Sequence, residues 1–352
     1  MTNYNITQIL KWTERSVIRV LYVRPKWLSM IRLPSSGRIV NRPAALILSF
    51  LLWNLSGAEW LRGEDFTRPS NNWVATDALG RHLPVHRETG DRRPGKFVGI
   101  FYFVWVGNHT PKVYDITKIL KVPEEERQWG PYKATHFGCE PEYSYFHSSD
   151  PWVIRRDMQM LVNTGVDFLF LDVTNGLIYE ESVDALLGVI RAMRDKGIHA
   201  LGVVFTTNGG GGATINRIHD RFYKDGQHED LWFQWDGKPV IFGTKDDPKI
   251  REELKDYFTI KRSWAWTATK TEPDHWQWLD TSPQDYGWSA SPDIPEQIPV
   301  TAASHATNSI GRSYHDGAQP PVGPDYLTEL TSQGLHFEEQ WKRAHEVVRR
   351  SS

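Results

Sequence analysis

The sequence predicts an α/β fold of the (β/α)8 TIM-barrel type, and three observations carry that expectation. Six short runs rich in β-branched and aromatic residues recur between Lys96 and Thr307, each ending on polar or aromatic residues. At least two of the intervals carry apolar residues at helical spacing. The first run, Phe97 to Trp105, is apolar on both faces, as a parallel strand buried between helices and a core must be. At 352 residues the chain exceeds the roughly 250 that one such barrel needs.

The segments divide in chain order. Ala44 to Trp53 is an apolar run broken only by Ser49, preceded by Arg32, Arg38 and Arg42 and followed by Ser56-Gly57-Ala58. That is the layout of a signal peptide counted from Met30. The competing reading is a buried core helix. The run is about half the roughly 20 residues that span a bilayer, so no stable membrane span is expected. Residues 1–29 then read as an N-terminal extension, 30–58 as the signal peptide, 59–95 as a polar leader or linker, and 96–352 as the barrel domain. The expected location is outside the cytoplasm, periplasmic or extracellular.

Within the barrel region the clearest unit runs from Asp150 to Gly176. Asp150-Pro151 starts a helix; Ile154, Met158 and Leu161 stripe one face; Gly165 stops it, and Val166 to Leu171 is a strand ending on Asp172. Between Gly107 and Ser149 lies a long aromatic insertion, the kind of βα loop in which barrels place specificity. Val183, Leu186, Leu187, Ile190 and Met193 make a second helical stripe. Further strands are read at Ala200–Thr207, Lys238–Thr244, Phe258–Trp266 and Ile298–His305, and a last helix carries Phe337, Trp341, Ala344 and Val348 on one face. A closed barrel of this type needs eight strands and six are visible. The expectation is therefore a barrel incomplete at its C-terminus, unless residues 59–95 supply the missing strands.

Composition narrows the function. The net charge of −2, from 41 basic and 43 acidic residues with no basic block, leaves no electrostatic footprint for nucleic acid. One cysteine, Cys139, cannot form an internal disulfide. Asn208-Gly209-Gly210-Gly211-Gly212 follows a strand, but no Lys-Ser/Thr comes after it and Thr214 stands where a dinucleotide fingerprint needs glycine, so no nucleotide is expected. His82-x3-His86-x-Glu88 lacks a metalloprotease frame, and no metal or other cofactor is expected. Sixteen Trp, thirteen Tyr and fifteen Phe include several in polar, Gly-containing contexts such as Trp129-Gly130-Pro131-Tyr132, which suit the apolar faces of sugar rings.

Five segments in the same order carry a resemblance: Phe97 to Trp105, Asp150 to Gly176, Asp230-Leu-Trp-Phe-Gln-Trp-Asp-Gly-Lys-Pro, Ser263-Trp-Ala-Trp, and Gly334-Leu-His-Phe-Glu-Glu-Gln-Trp-Lys-Arg-Ala. Together they resemble bacterial exported proteins grouped with glycoside hydrolase families 71 and 99. The resemblance implies a (β/α)8 barrel acting on an α-linked glucan or mannan, with an oligosaccharide or polysaccharide as partner. It also implies a carboxylate in an Asn-Glu-Trp-like turn after a late strand, and no such turn is present; the readings are a glycoside hydrolase, complete or shortened and inactive for want of that segment, a non-catalytic glycan-binding protein on the same scaffold, and a non-functional fragment.

Most glycosidases flank the scissile bond with two carboxylates. The candidates are Asp172, as sugar ligand or base at a strand end, and Glu142 in the aromatic insertion. Tyr102, Trp105, His136, Trp264, Trp266, His305 and His315 fall near or beyond strand ends and are the candidate substrate contacts. Glu140 lies beside Glu142, and Asp246 and Asp247 read as capping residues before Pro248.

Overall fold

The computed structural model describes residues 20–23, 75–76, 80–110, 112–132, 134–208, 210–264, 272–280, 284–302 and 335–350. Its main sheet contains β1 (Val20–Val23), β2 (Phe97–Tyr102), β5 (Phe168–Asp172), β6 (Gly202–Thr206), β7 (Gln234–Trp235), β8 (Lys238–Phe242), β9 (Thr259–Lys261) and β10 (Gln297–Val300). A two-stranded sheet, β3 (Tyr114–Asp115) with β4 (His136–Phe137), sits in the insertion after β2. The helices are α1 (His86–Thr89), α2 (Ile116–Ile119), α3 (Pro151–Asn163), α4 (Glu180–Arg194), α5 (Gly212–Ile218), α6 (Glu252–Tyr257) and α7 (Leu335–Arg350).

The register of the parallel part is continuous: β2 pairs β5, β5 pairs β6, β6 pairs β8 and β8 pairs β9. Helices alternate with these strands, which makes the fold α/β with a mostly parallel sheet. The local signals act as read from the sequence. The Asp150 carboxylate caps α3, accepting from Trp152 N–H (2.8 Å) and Val153 N–H (3.3 Å), with Pro151 in its first turn. Gly165 takes φ +85° after it, a value natural only to glycine.

Alternation along the strands separates two apolar layers. Leu169, Leu171, Val203, Phe205, Ile241 and Ile260 pack against Ile154 and Met158 of α3 and the buried stripe of α4. The opposite face is mainly aromatic: Phe101, Phe168, Phe170, Phe242, Trp235 and Trp276 join Val204 and Val240. Gly99 belongs to this close packing, because a Cβ there would meet ring carbons of Phe168 at 2.5 and 2.7 Å.

All six expected strands are present, but shorter. The expected strand over Phe258–Trp266 has its ladder only at Thr259–Lys261, and the strand expected over Ile298–His305 is Gln297–Val300. Polar side chains take over at these ends, and residues 265, 266 and 303–305 lie outside the described residues. The sheet also holds two strands that the sequence did not suggest. β7 forms a tight hairpin with β8 through Asp236-Gly237, both at positive φ, as a type I′ turn requires. β1 comes from the stretch read as an extension and pairs antiparallel with both β2 and β10.

Beyond β9 the backbone pairing continues without a regular strand. Arg262 and Asp274–Trp276 exchange bonds of 2.7 and 2.8 Å, Asp274 N–H donates to Trp288 O (2.8 Å), and Gly287 N–H donates to Gln297 O of β10 (2.7 Å). A buried ion pair fixes this junction. Lys261 Nζ donates to Glu296 Oε2 (3.1 Å), to Asp274 Oδ1 (2.8 Å) and to Ser289, over the ring of Trp276; the Lys261 and Glu296 side chains are each 2% exposed. Burial pushes the Asp274 carboxyl up, but the neighbouring Lys261 ammonium and the bonds to it outweigh burial and hold it below the usual carboxylate range. On the other side of β10, Val347 and Ala344 of α7 pack with Ile298 and Val300, in line with the stripe read for that helix. Among the described residues no helix is long and apolar enough to cross a membrane.

Candidate functional site

The C-terminal ends of β6, β8 and β9 converge on one cleft of about 200 Å³, lined by Thr207, Asn208, Gly243, Thr244, Arg262, Ser263 and Trp264. Each strand contributes residues that directly follow its last ladder position. The paired strands leave their ends side by side, the arrangement that makes this rim of a parallel sheet the usual place for ligands.

Asp172 is the last residue of β5 and follows Phe170 by two, so its side chain projects to the aromatic face rather than the helices. Its Oδ1 accepts from Thr174 N–H (3.1 Å) and Thr174 Oγ1 (2.7 Å). One carboxylate oxygen therefore orders the following turn. Asn208 joins that turn to the cleft, donating from Nδ2 to Thr174 O (2.7 Å).

The Gly-rich segment after β6 serves packing. A Cβ on Gly211 would meet Thr207 Cβ at 2.6 Å, and one on Gly212 would meet Asp247 Cγ at 2.7 Å. Asp247, expected as a cap before Pro248, caps across the structure: Oδ1 accepts from Lys249 N–H and Oδ2 from Gly212 N–H, each at 2.9 Å. The Lys249 N–H above all, then the Gly212 N–H, hold this carboxyl below its ordinary range against the effect of burial. The start of α5 thus already has its own carboxylate.

The other expected contacts are placed as follows. Trp264 lines the cleft and is 42% exposed. Trp266, His305 and His315 lie outside the described residues. Tyr102 does not reach the cleft: it packs against the helix-side core and its hydroxyl donates to Asp157 of α3 (2.9 Å). The reason is strand parity, since Tyr102 alternates with the inward Phe101. Burial first, then the Asp157 carboxylate, push the Tyr102 phenol well above its ordinary value. Trp105 also packs on the helix-side core, edge-on to Phe103. His136 is held in the insertion, bonded to Trp129 O (2.7 Å) beside the rings of Tyr114 and Trp129.

Glu142 is a surface carboxylate with a 76% exposed side chain, 3.9 Å from Arg156 on α3, and Glu140 faces Lys118 at 3.5 Å. Neither lines the cleft, whose described lining contains no carboxylate. His82, His86 and Glu88 engage Thr76, Asp91 and the Val85 N–H respectively. Among the described residues no group of three His, Cys, Asp or Glu side chains could hold a metal ion.

Sequence reasoning passed over Asn208, Thr244, Arg262 and Ser263 as ligands. The signal was there: each stands just past an apolar run. Lys261 and Glu296 also went unremarked, although a lysine next to the apolar Phe258-Thr259-Ile260 could have marked a buried partner.

The site offers hydroxyls, a carboxamide, a guanidinium and an exposed indole around one small cleft, with a strand-end carboxylate beside it. That set can hydrogen-bond a polyhydroxylated ligand and offer one apolar ring face. No protein-family model matches the chain, and no curated protein matches it. Among solved structures, it is similar to the GH99 endo-alpha-mannosidase from Bacteroides thetaiotaomicron in complex with BIS-TRIS-Propane, at 15% identity over 72% of this chain and 97% of that one, with a TM-score of 0.34. A second structure of the GH99 endo-alpha-mannosidase from that organism is similar at 13% identity over 72% of this chain and 98% of the other, again with a TM-score of 0.34.

Proposed function

We propose that the protein binds an α-linked glycan in the cleft at the C-terminal strand ends and acts on it as a glycoside hydrolase, with Asp172 as a base or sugar-hydroxyl ligand. The observation that carries this reading is the convergence of hydroxyl, amide and indole groups beside a strand-end carboxylate, and the five sequence segments that resemble families 71 and 99 support it. We infer further that the sheet curls into a barrel. The backbone bonds that run from β9 through Asp274–Trp276 and Gly287–Trp288 to β10, and from there through β1 to β2, favour that reading.

The test is release of reducing ends from α-mannan and α-glucan. Asp172→Asn is expected to lower turnover by about 100-fold or more, the usual scale for a general base. Turnover at the wild-type rate in that variant removes Asp172 from the chemistry.

A second reading, a non-catalytic glycan-binding protein, is favoured by one specific observation: Glu142 lies away from the cleft lining, which itself contains no carboxylate. Binding of either glycan without any release of reducing ends would establish it. Export is proposed on the Ala44–Trp53 pattern alone, and fractionation of cells producing the full chain tests it.

A further inference from the structure

The parallel register continues past the last ladder positions. Val173 N–H donates to Thr206 O (3.0 Å), Thr207 N–H to Phe242 O (2.9 Å) and Gly243 N–H to Lys261 O (2.9 Å). These bonds extend the pairings Asp172↔Thr206 and Phe242↔Lys261 by one step. One residue further, Asn208, Thr244 and Ser263 stand side by side at three neighbouring strand ends. They share a face with Thr206, Phe242 and Lys261, because residues two apart on a strand do so. All three line the cleft.

Asn208 has structural work: Nδ2 donates to Thr174 O and Oδ1 accepts from Gly210 N–H (2.9 Å). Thr244 and Ser263 do not. Thr244 Oγ1 and Ser263 Oγ are buried atoms with no hydrogen-bond partner among the described residues, and Ser263 is only 4% exposed. An unpaired buried hydroxyl lowers stability, and valine or alanine would fill the same space without that cost. Two such groups at adjacent positions on one cleft wall are explained by a ligand that completes them. A turn about χ1, between staggered positions, brings either oxygen to the cleft.

We propose that Thr244 and Ser263 form the substrate-binding hydroxyl pair of this cleft, taking two neighbouring hydroxyls of a single sugar ring that rests on Trp264. Adjacent strands stand about 4.8 Å apart, so the two oxygens converge on one ring rather than on two separate residues of a chain. The cleft volume of about 200 Å³ suits one pyranose. The proposal rests on the glycan reading above and gives it a recognition element that does not depend on Asp172 or on catalysis.

The experiment is calorimetric titration of the full chain with α-mannobiose and with maltose, in parallel with thermal unfolding, for wild type, Ser263→Ala and Thr244→Val. The expected result is binding of one of these sugars by wild type, weakened about tenfold in each variant, as loss of one ligand hydrogen bond implies. Thermal midpoints are expected to stay level or rise, because an unpaired hydroxyl has been removed. Wild-type binding with unchanged affinity in both variants overturns the hydroxyl pair and leaves the glycan reading standing. Lowered midpoints in both variants also overturn it, by showing that the hydroxyls hold the fold. Failure of wild type to bind either sugar removes the glycan reading, and this proposal with it.

Discussion

Replacing Lys261 by methionine isolates the part played by the buried pair at the β9–β10 junction. Methionine keeps most of the volume and the contact over Trp276 but removes the ammonium. Glu296, with a side chain 2% exposed, would then lose the only cation bonded to it among the described residues and keep the Trp276 and Ser289 bonds to Oε2. Its Oε1 already lacks a hydrogen-bond partner among the described residues, so nothing on that side compensates. Breaking a buried pair from one side costs about 3–5 kcal/mol. At about 1.5–2 °C per kcal/mol for a chain of this size, the thermal midpoint should fall by roughly 5–10 °C. Urea unfolding followed by Trp fluorescence and by far-UV circular dichroism gives the free energy and shows whether both signals share one transition. The double variant Lys261→Met, Glu296→Gln should recover a good part of the loss, because the stranded charge is gone. A single variant within about 0.5 kcal/mol of wild type would refute the reasoning, placing the pair among ionic contacts that contribute nothing measurable.

Two further outcomes follow from groups elsewhere in the fold. Burial raises the Asp157 carboxyl above its ordinary value, more than the Tyr102 bond and Arg156 lower it. A carboxyl raised in the folded state destabilises wherever it is ionised, so the penalty from this one group should be relieved as pH falls from neutrality through its folded pKa. Asp157→Asn, whose amide oxygen still accepts from Tyr102, should be the more stable protein at pH 7 and lose that pH dependence in thermal melts. Gly99→Ala drives a methyl into the Phe168 ring, which stacks on Phe233 with ring centroids 4.0 Å apart; a loss of about 1–3 kcal/mol in urea unfolding is expected. Wild-type stability in that variant would show that the rings have room to shift.

The parallel strands and the helices between them were legible because burial on both faces writes β5 as Phe168-Leu169-Phe170-Leu171 and a single buried stripe writes α4 as Val183, Leu186, Leu187 and Ile190. Their ends were legible too, since Asp172 and Gly165 are ordinary stop signals. Tyr102 was misplaced because its nearness to a strand end was read without parity, which turns it to the helices. β1 was missed because four residues between arginines carry no period to read. The pairings of His275 and Gly287 were missed for a related reason: they are isolated bridges, which leave no alternation of polar and apolar side chains to read. The cleft was only half visible. Trp264 stood out by its size, whereas Thr244 and Ser263 became candidates only when the register brought them together.

β1 runs against both of its neighbours, and so β2 and β10 point the same way. A protease that cut the chain after Ala58 would take β1 away with the N-terminal extension and the signal peptide. Two apolar strands would then face one another across an empty lane, with unpaired amides and carbonyls on both banks. Such bare edges invite pairing with other chains. If β2 and β10 instead closed the lane by bonding to each other, they would do so as parallel strands, and the antiparallel interruption in this part of the sheet would disappear. Maturation by cleavage would then change the pairing of the sheet as well as the length of the chain.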